Sequence, residues 1–453
     1  MMKSNYSILI MLCLILMGCY GDGDNSPTCT NQNSTDDHLV IYWGNKDEFI
    51  GAVAQVGGAV ERIHGNIGVA KVSGLTDTSI LNLKKRIKII AIGRDVEVDW
   101  LRQRVDEPLQ VDAMSSTRVL NHNEPTDAAF YNILQWNMRT IEAGTAWSIE
   151  QGEESVRVAI VDTGINANHI DLTGKCDASA SINLTSDNPI DLDDDNGHGT
   201  QIAGIISTNN IFIAGLAPHA TLINIKVLKQ DGSGTFSDLI AGIMYAVDNA
   251  EADIINISFG SHFSSNYYEC SNLFTSITAL KKAIRYANCK GAFIAAAAGD
   301  GDETYLGINL DETTENIHMP SQIKGVLSVG ATAPINQMGF DSLASYSNYG
   351  FSAVDVVAPG GNDLRLNGGF PDGLITSVVV IGFNNRYDVT YGTGIATAHA
   401  SALAALISAQ NDELLSPREI GMKIKNTADD IGEPGRDKQY GYGRINAHRA
   451  VTE

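Results

Sequence analysis

The sequence predicts a doubly wound α/β domain with a parallel sheet, preceded by a small α+β domain, and two patterns carry that prediction. From residue 124 onward, short apolar runs at 156–161, 222–228, 253–257, 292–298, 326–330 and 354–357 alternate with helical stretches. These runs show little period-two alternation, as in strands covered on both faces, and such sheets bind ligands at the carboxyl ends of their strands. Ahead of them, residues 38–93 follow the order strand, helix, strand, strand, helix, strand.

In that first unit a strand at 38–43 leads into an amphipathic helix at 46–55. A strand pair then turns over Asn66-Ile67-Gly68, and a helix at 76–86 precedes a strand at 88–93. This is a ferredoxin-like order, which hosts many activities and names none. The organisation read from the chain is a first domain at 38–103, a polar linker at 104–123 and a main domain at 124–453. With 453 residues, 43% apolar and 19% charged, there is ample material for buried cores. Lys and Arg number 31 against 53 Asp and Glu, a net charge of −22. That balance lacks the positive footprint of a nucleic-acid binder, so DNA and RNA are not expected partners.

The first residues read as an address. Lys3 precedes an apolar run at 8–17 that is too short for a bilayer span but suits a signal-peptide core, giving a signal at 1–18. The run ends in Leu16-Met17-Gly18-Cys19, which resembles the lipobox of bacterial lipoproteins. The resemblance implies cleavage before Cys19, acylation of its sulfur, and a membrane partner at the bacterial cell envelope. The alternative is an ordinary signal and a secreted chain. Residues 19–37 then form a tether. Export leaves Cys29, Cys176, Cys270 and Cys289 in an oxidising compartment. A Cys270–Cys289 bridge across the intervening helical stretch would contribute on the order of 3 kcal/mol, and two unpaired thiols are the alternative.

The chemistry falls at the strand ends. The run at 156–161 feeds Asp162-Thr163-Gly164, placing a carboxylate on a tight turn at the sheet edge. Asn196-Gly197-His198-Gly199-Thr200 puts an imidazole at the start of an apolar helix, after an acidic run at 191–195 that reads as a solvated loop. A carboxylate followed by a histidine is what a hydrolytic triad needs for the acid to hold the base's tautomer.

These blocks, with His198-Gly199-Thr200-Gln201-Ile202-Ala203-Gly204, Gly215-Leu216-Ala217-Pro218, Asn256-Ile257-Ser258-Phe259-Gly260, Val357-Ala358-Pro359-Gly360 and Tyr442-Gly443-Arg444-Ile445-Asn446-Ala447, resemble the subtilisin-like serine peptidases, the subtilases. The match covers residues 124–451, and the first domain is similar to the family's inhibitory, fold-assisting propeptide. The resemblance implies Asp162 and His198 as two members of a triad. It also implies a peptide-binding cleft edged by Ser258, Phe259 and Gly260 on one side and Gly232, Ser233 and Gly234 on the other. No cofactor is certain; Asp171 matches a position that ligates calcium in some relatives, although the loop 209–214 is one residue short and lacks the usual glycine. His399 reads as a satisfied core residue.

Two departures decide the functional expectation. The family's Gly-Thr-Ser-Met-Ala-Thr-Pro-His is here Gly392-Thr393-Gly394-Ile395-Ala396-Thr397-Ala398-His399, so the nucleophile position holds Gly394. The family's Ala-Ala-Gly-Asn is here Ala297-Ala298-Gly299-Asp300, so the oxyanion position holds a carboxylate. In subtilisin, loss of the serine alone costs about 2 × 10⁶ in kcat, and loss of one oxyanion donor about 10² to 10³. Ser401, seven residues on, sits roughly 10 Å along the same helix, and Thr393 projects elsewhere. The expected function is that of a lipid-anchored pseudopeptidase that binds peptide or protein segments by strand addition or serves as a scaffold. The alternative is an active endopeptidase with another nucleophile.

Overall fold

The computed structural model describes residues 34–101 and 124–453, apart from 187, 302–303, 305, 314–315, 335–339, 363–377, 382–386 and 412–413. The signal, Cys19, Cys29 and the linker at 104–123 lie outside the described residues.

The first domain runs β1 (Ser34–Trp43), α1 (Lys46–Gln55), β2 (Ala59–His64), β3 (Val69–Ser73), α2 (Asp77–Arg86) and β4 (Lys88–Asp99). Its sheet order is β2-β3-β1-β4. Asn45 caps α1 by accepting from the amides of Asp47 and Glu48, and Thr76 caps α2 by accepting from Ser79. Strand alternation gives the sheet two apolar faces. Val40 and Tyr42 face Phe49, Val53 and Leu83 of the domain's own helices, whereas Leu39 and Ile41 turn to the main domain.

The main domain opens with α3 (Trp136–Thr140), α4 (Ala143–Ala146), β5 (Arg157–Asp162), β6 (Ile182–Asn183), α5 (His198–Ile206), β7 (Thr221–Lys226), β8 (Ser233–Thr235) and α6 (Phe236–Asp248). It continues through β9 (Ile254–Ile257), β10 (Ser261–Ser264), α7 (Ser271–Lys290), β11 (Phe293–Ala297), β12 (Asn316–Met319), β13 (Leu327–Ala333), β14 (Ser342–Leu343) and β15 (Val356–Pro359). It closes with β16 (Val378–Ile381), β17 (Tyr387–Thr390), α8 (Thr393–Gln410), α9 (Pro417–Asn426) and α10 (Ala447–Thr452). Parallel strands run in the order β6-β7-β5-β9-β11-β13-β15, with β14 antiparallel on β13. Each of the six predicted apolar runs is a strand of this sheet.

The sheet is covered on both faces, which explains the missing alternation. On β5, Val158 and Ile160 face the layer of α5 and α8, while Ala159 and Val161 face the layer of α6 and α7. Every residue of α8 from Thr393 to Ala409 is buried. A helix apolar all round belongs at the centre of a large domain.

Three expectations change. The final strand of the first domain extends to Asp99 instead of ending at 93, because β4 continues as an antiparallel partner of β8, with Glu97 opposite Thr235 and Asp99 opposite Ser233. Likewise residues 34–37 belong to β1 and not to a tether. The Cys270–Cys289 bridge is not formed: Cys270 immediately precedes the 20-residue α7 and Cys289 lies near its end. At 1.5 Å per residue they stand more than 25 Å apart, roughly, where a disulfide needs Cα atoms within about 7 Å. Cys289 and Cys176 are free thiols.

Candidate active site

Asp162 is delivered by the end of β5, fully buried, and accepts from the amide of Thr163 at 2.8 Å. His198 is the first residue of α5. Its Nδ1 donates to Asp162 Oδ1 at 2.8 Å. Gly199 permits this approach, since a Cβ there would lie 2.1 Å from the Gly164 carbonyl oxygen. Asp194 positions the helix start. Its buried carboxylate accepts from the amides of Gly197 at 2.7 Å and Thr200 at 2.9 Å, and from the hydroxyls of Thr163 and Thr200. The acidic run thus contains a helix-capping residue that the reading as a solvated loop missed; an acid three residues before a Gly-His helix start was the available signal. Burial disfavours the His198 imidazolium, but Asp162 beside it, with Asp194 and Asp300, outweighs that cost and holds its pKa above the ordinary 6.5.

Gly394 lies in the first turn of α8, against the end of β9. A Cβ on it would come within 2.3 Å of the Ser258 carbonyl oxygen, closer than side chains approach backbone, so the helix start and the 258 segment meet through the missing side chain. Asp300, past the end of β11, accepts at Oδ1 from the amide of Thr393 at 2.7 Å and from its hydroxyl at 2.8 Å. The carboxylate therefore caps α8 at its positive end. Thr393 Oγ1 in turn accepts from the Gly299 amide at 3.1 Å. Ser401 Oγ donates to Asn256 Oδ1 at 2.8 Å, beneath the sheet ends and fully buried. Both nearby hydroxyls are thus committed elsewhere. His399 accepts from Asn137 at Nε2 and donates to the Ile395 carbonyl at Nδ1; burial pushes its pKa to about 4, so the ring is neutral.

His198, Gly394, Asp300, Ser258, Phe259 and Gly260 line one cleft of about 890 Å³. Within it, the ring of His318 fills the slot between Gly260 and Gly299. Cβ atoms on those glycines would stand 2.3 Å and 2.6 Å from ring atoms. His318 Nδ1 is engaged with Ser321 Oγ at 2.8 Å, and burial holds its pKa well below 6.5. Gly232, Ser233 and Gly234 form the opposite edge, which the chain's own β4 occupies. The amides of Trp100 and Leu101 donate to the Gly232 carbonyl, and Trp100 Nε1 donates to the Gly234 carbonyl at 3.1 Å. The Trp100 ring packs on Phe236, Phe259 and Phe263.

The calcium expectation at Asp171 does not fit this geometry. Its carboxylate accepts from the amides of Ile211 at 2.7 Å, Phe212 at 3.2 Å and Ile213 at 3.3 Å, and from the Tyr387 hydroxyl at 2.5 Å. The shortened loop thus turns N–H donors, not carbonyl oxygens, toward the carboxylate, and a cation needs the reverse. No group of three or more metal-ligating side chains occurs among the described residues.

A carboxylate at the end of a central strand that holds a histidine at a helix start, above a doubly wound sheet, is the acid–base half of a hydrolytic site. The family described as Subtilase matches residues 153–443, and the chain belongs to it. It is 35% identical over 331 residues to the thermophilic serine proteinase of Bacillus sp. (strain AK1), covering 72% of this chain and 69% of that one. It is 32% identical over 325 residues to thermitase of Thermoactinomyces vulgaris, covering 71% and 97%. Among solved structures, a serine-to-alanine form of the epidermin leader peptide processing serine protease from Staphylococcus aureus superposes with a TM-score of 0.73 at 22% identity. That alignment covers 93% of this chain and 100% of that one, a likeness of fold.

Proposed function

We propose that this chain is an exported, lipid-anchored pseudopeptidase that holds polypeptide in the subtilase cleft without cutting it. The observation that carries the reading is the contact at Gly394, where the place of a nucleophile's Cβ is taken by the Ser258 carbonyl. The missing hydroxyl has no substitute in Thr393 or Ser401, whose hydroxyls already serve Asp300 and Asn256. A carboxylate at residue 300 adds negative charge where an acyl-transfer transition state develops it. What remains useful is the β8 edge, whose main chain pairs with an added strand. The first domain acts as resident occupant through β4 and Trp100. A competing segment would add to the same edge, and neutral or cationic segments suit a cleft lined by Asp99, Asp195, Asp231, Asp300 and Asp388 and, among the described residues, by no Lys or Arg. Cys19 supplies the lipid and the cell envelope is the location.

Fluorogenic peptide libraries test the reading. Turnover by the purified chain, intact or with its linker cut, should equal that of the His198→Ala variant. Turnover that depends on His198 would establish a working endopeptidase instead.

A further inference from the structure

Gly260 follows β9 and Gly299 follows β11, two neighbouring parallel strands of the main sheet. The gap between these glycines, in the wall of the cleft, is one ring thick. The buried imidazole of His318 occupies it: a Cβ on Gly260 would overlap the ring at Cε1, and one on Gly299 would stand 2.6 Å from Nε2. We propose that His318 is a specificity-determining plug, which takes the place of a bound segment's side chain so that the cleft accepts only glycine or alanine at the position facing residues 260 and 299. The proposal rests on the reading of the cleft as one that holds polypeptide, and it deepens that reading by saying which segments fit.

The ring is fixed by the fold around it. β12 pairs with β10, which puts His318 opposite His262, and the two imidazoles meet edge to face with centroids 4.9 Å apart. The His318 amide donates to Gln322 Oε1 at 2.7 Å, and Ser321 Oγ lies 2.8 Å from Nδ1. The wall behind Gly299 is equally fixed. Buried Asn348 donates to the Ala298 carbonyl at 2.9 Å and accepts from the amides of Gly301 at 3.2 Å and Ile308 at 3.0 Å. The imidazole cannot swing aside without giving up hydrogen bonds made by buried groups, which are costly to leave unpaired.

A strand laid between the 232–234 and 258–260 edges sends alternate side chains toward the cleft floor. Above His318 such a side chain meets a ring already in place, so larger residues are refused by collision. Burial and the neighbouring His262 keep the His318 pKa well below 6.5 and its ring uncharged. The plug therefore does not repel the cationic segments that the aspartates of the cleft favour.

The test uses the full chain with its linker cut and an excess of lysine-flanked peptides, in which each central position in turn is glycine or phenylalanine, with binding read by fluorescence anisotropy. A second probe, p-cresol, is soaked into crystals. The expected result is one position at which phenylalanine weakens binding about tenfold or more. His318→Ala should remove that penalty and admit p-cresol between residues 260 and 299, where the parent chain admits none. Equal binding of glycine and phenylalanine peptides by the parent chain at every position would overturn the proposal, and this arm decides even when the variant does not fold. A penalty unchanged in folded His318→Ala would overturn it too. Binding without discrimination sinks the plug alone. Binding of no peptide by either protein sinks the reading of the cleft as a polypeptide site, and the specificity with it, even where p-cresol enters the variant.

Discussion

At the residue scale, the proposed reading rests on a corner where the Asp162–His198 pair stands beside two close contacts, at Gly394 and at Asp300. Asp162 and His198 are held at 2.8 Å, while Gly394 admits the Ser258 carbonyl and Asp300 has become the cap of α8. The Asp300 charge helps keep His198 above its ordinary pKa, so Asp300→Asn should lower that pKa. Imidazole shifts followed by NMR against pH report it, and an unchanged or higher value in the variant would break the coupling. A side chain at residue 394 must displace Ser258 or the start of α8. Gly394→Ala should therefore cost about 1–3 kcal/mol in denaturant unfolding, as overpacked sites do. A neutral substitution would mean that the close approach is relaxed in solution. Gly394→Ser pays the same displacement before its hydroxyl meets His198, so serine alone should not restore turnover.

At the element scale, β17 and the 209–214 loop surround the Asp171 carboxylate with hydrogen-bond donors. Tyr387 donates to a carboxylate buried among three amides, and both burial and Asp171 push the Tyr387 pKa upward, keeping its proton on oxygen. Tyr387→Phe should lose about 1.5–3 kcal/mol, the worth of a hydrogen bond to a charged group. Thermal unfolding should show that added calcium does not restore it; recovery with calcium would return the site to metal. Trp100, packed among three phenylalanines, should cost about 3–5 kcal/mol on change to alanine. Limited proteolysis would then report a loosened β4. The strands of the main sheet were legible because burial on both faces leaves continuous apolar runs, and the Asp162 and His198 blocks because their glycine turns are local. The extension of β4 was not, since Arg94, Asp95, Glu97 and Asp99 break the apolar run and the pairing of Glu97 and Asp99 comes from β8, far along the chain. Asp194 was hidden for a related reason: one buried cap among four aspartates has the composition of a solvated loop.

At the scale of the whole molecule, the two domains form one body with a shared core, in which Leu39 and Ile41 of β1 and Val96 and Val98 of β4 pack with Phe236, Ile240 and Ile277 of the main domain. Arg62 and Asp238 add an ion pair at 2.9 Å across the same seam. The proposed pseudopeptidase reading implies that the chain does not sever itself between these domains, so purified protein should keep them on one continuous chain on prolonged incubation, read by intact mass under reducing conditions. The most direct test of the central claim is labelling by a fluorophosphonate, which needs only an activated serine and no substrate preference. It should be applied to the folded chain both intact and with its linker cut in the presence of reductant, so that β4 is no longer covalently held over the cleft. The account predicts no covalent adduct in either form and no difference from His198→Ala; a stoichiometric adduct on a cleft hydroxyl, lost in His198→Ala, would contradict it.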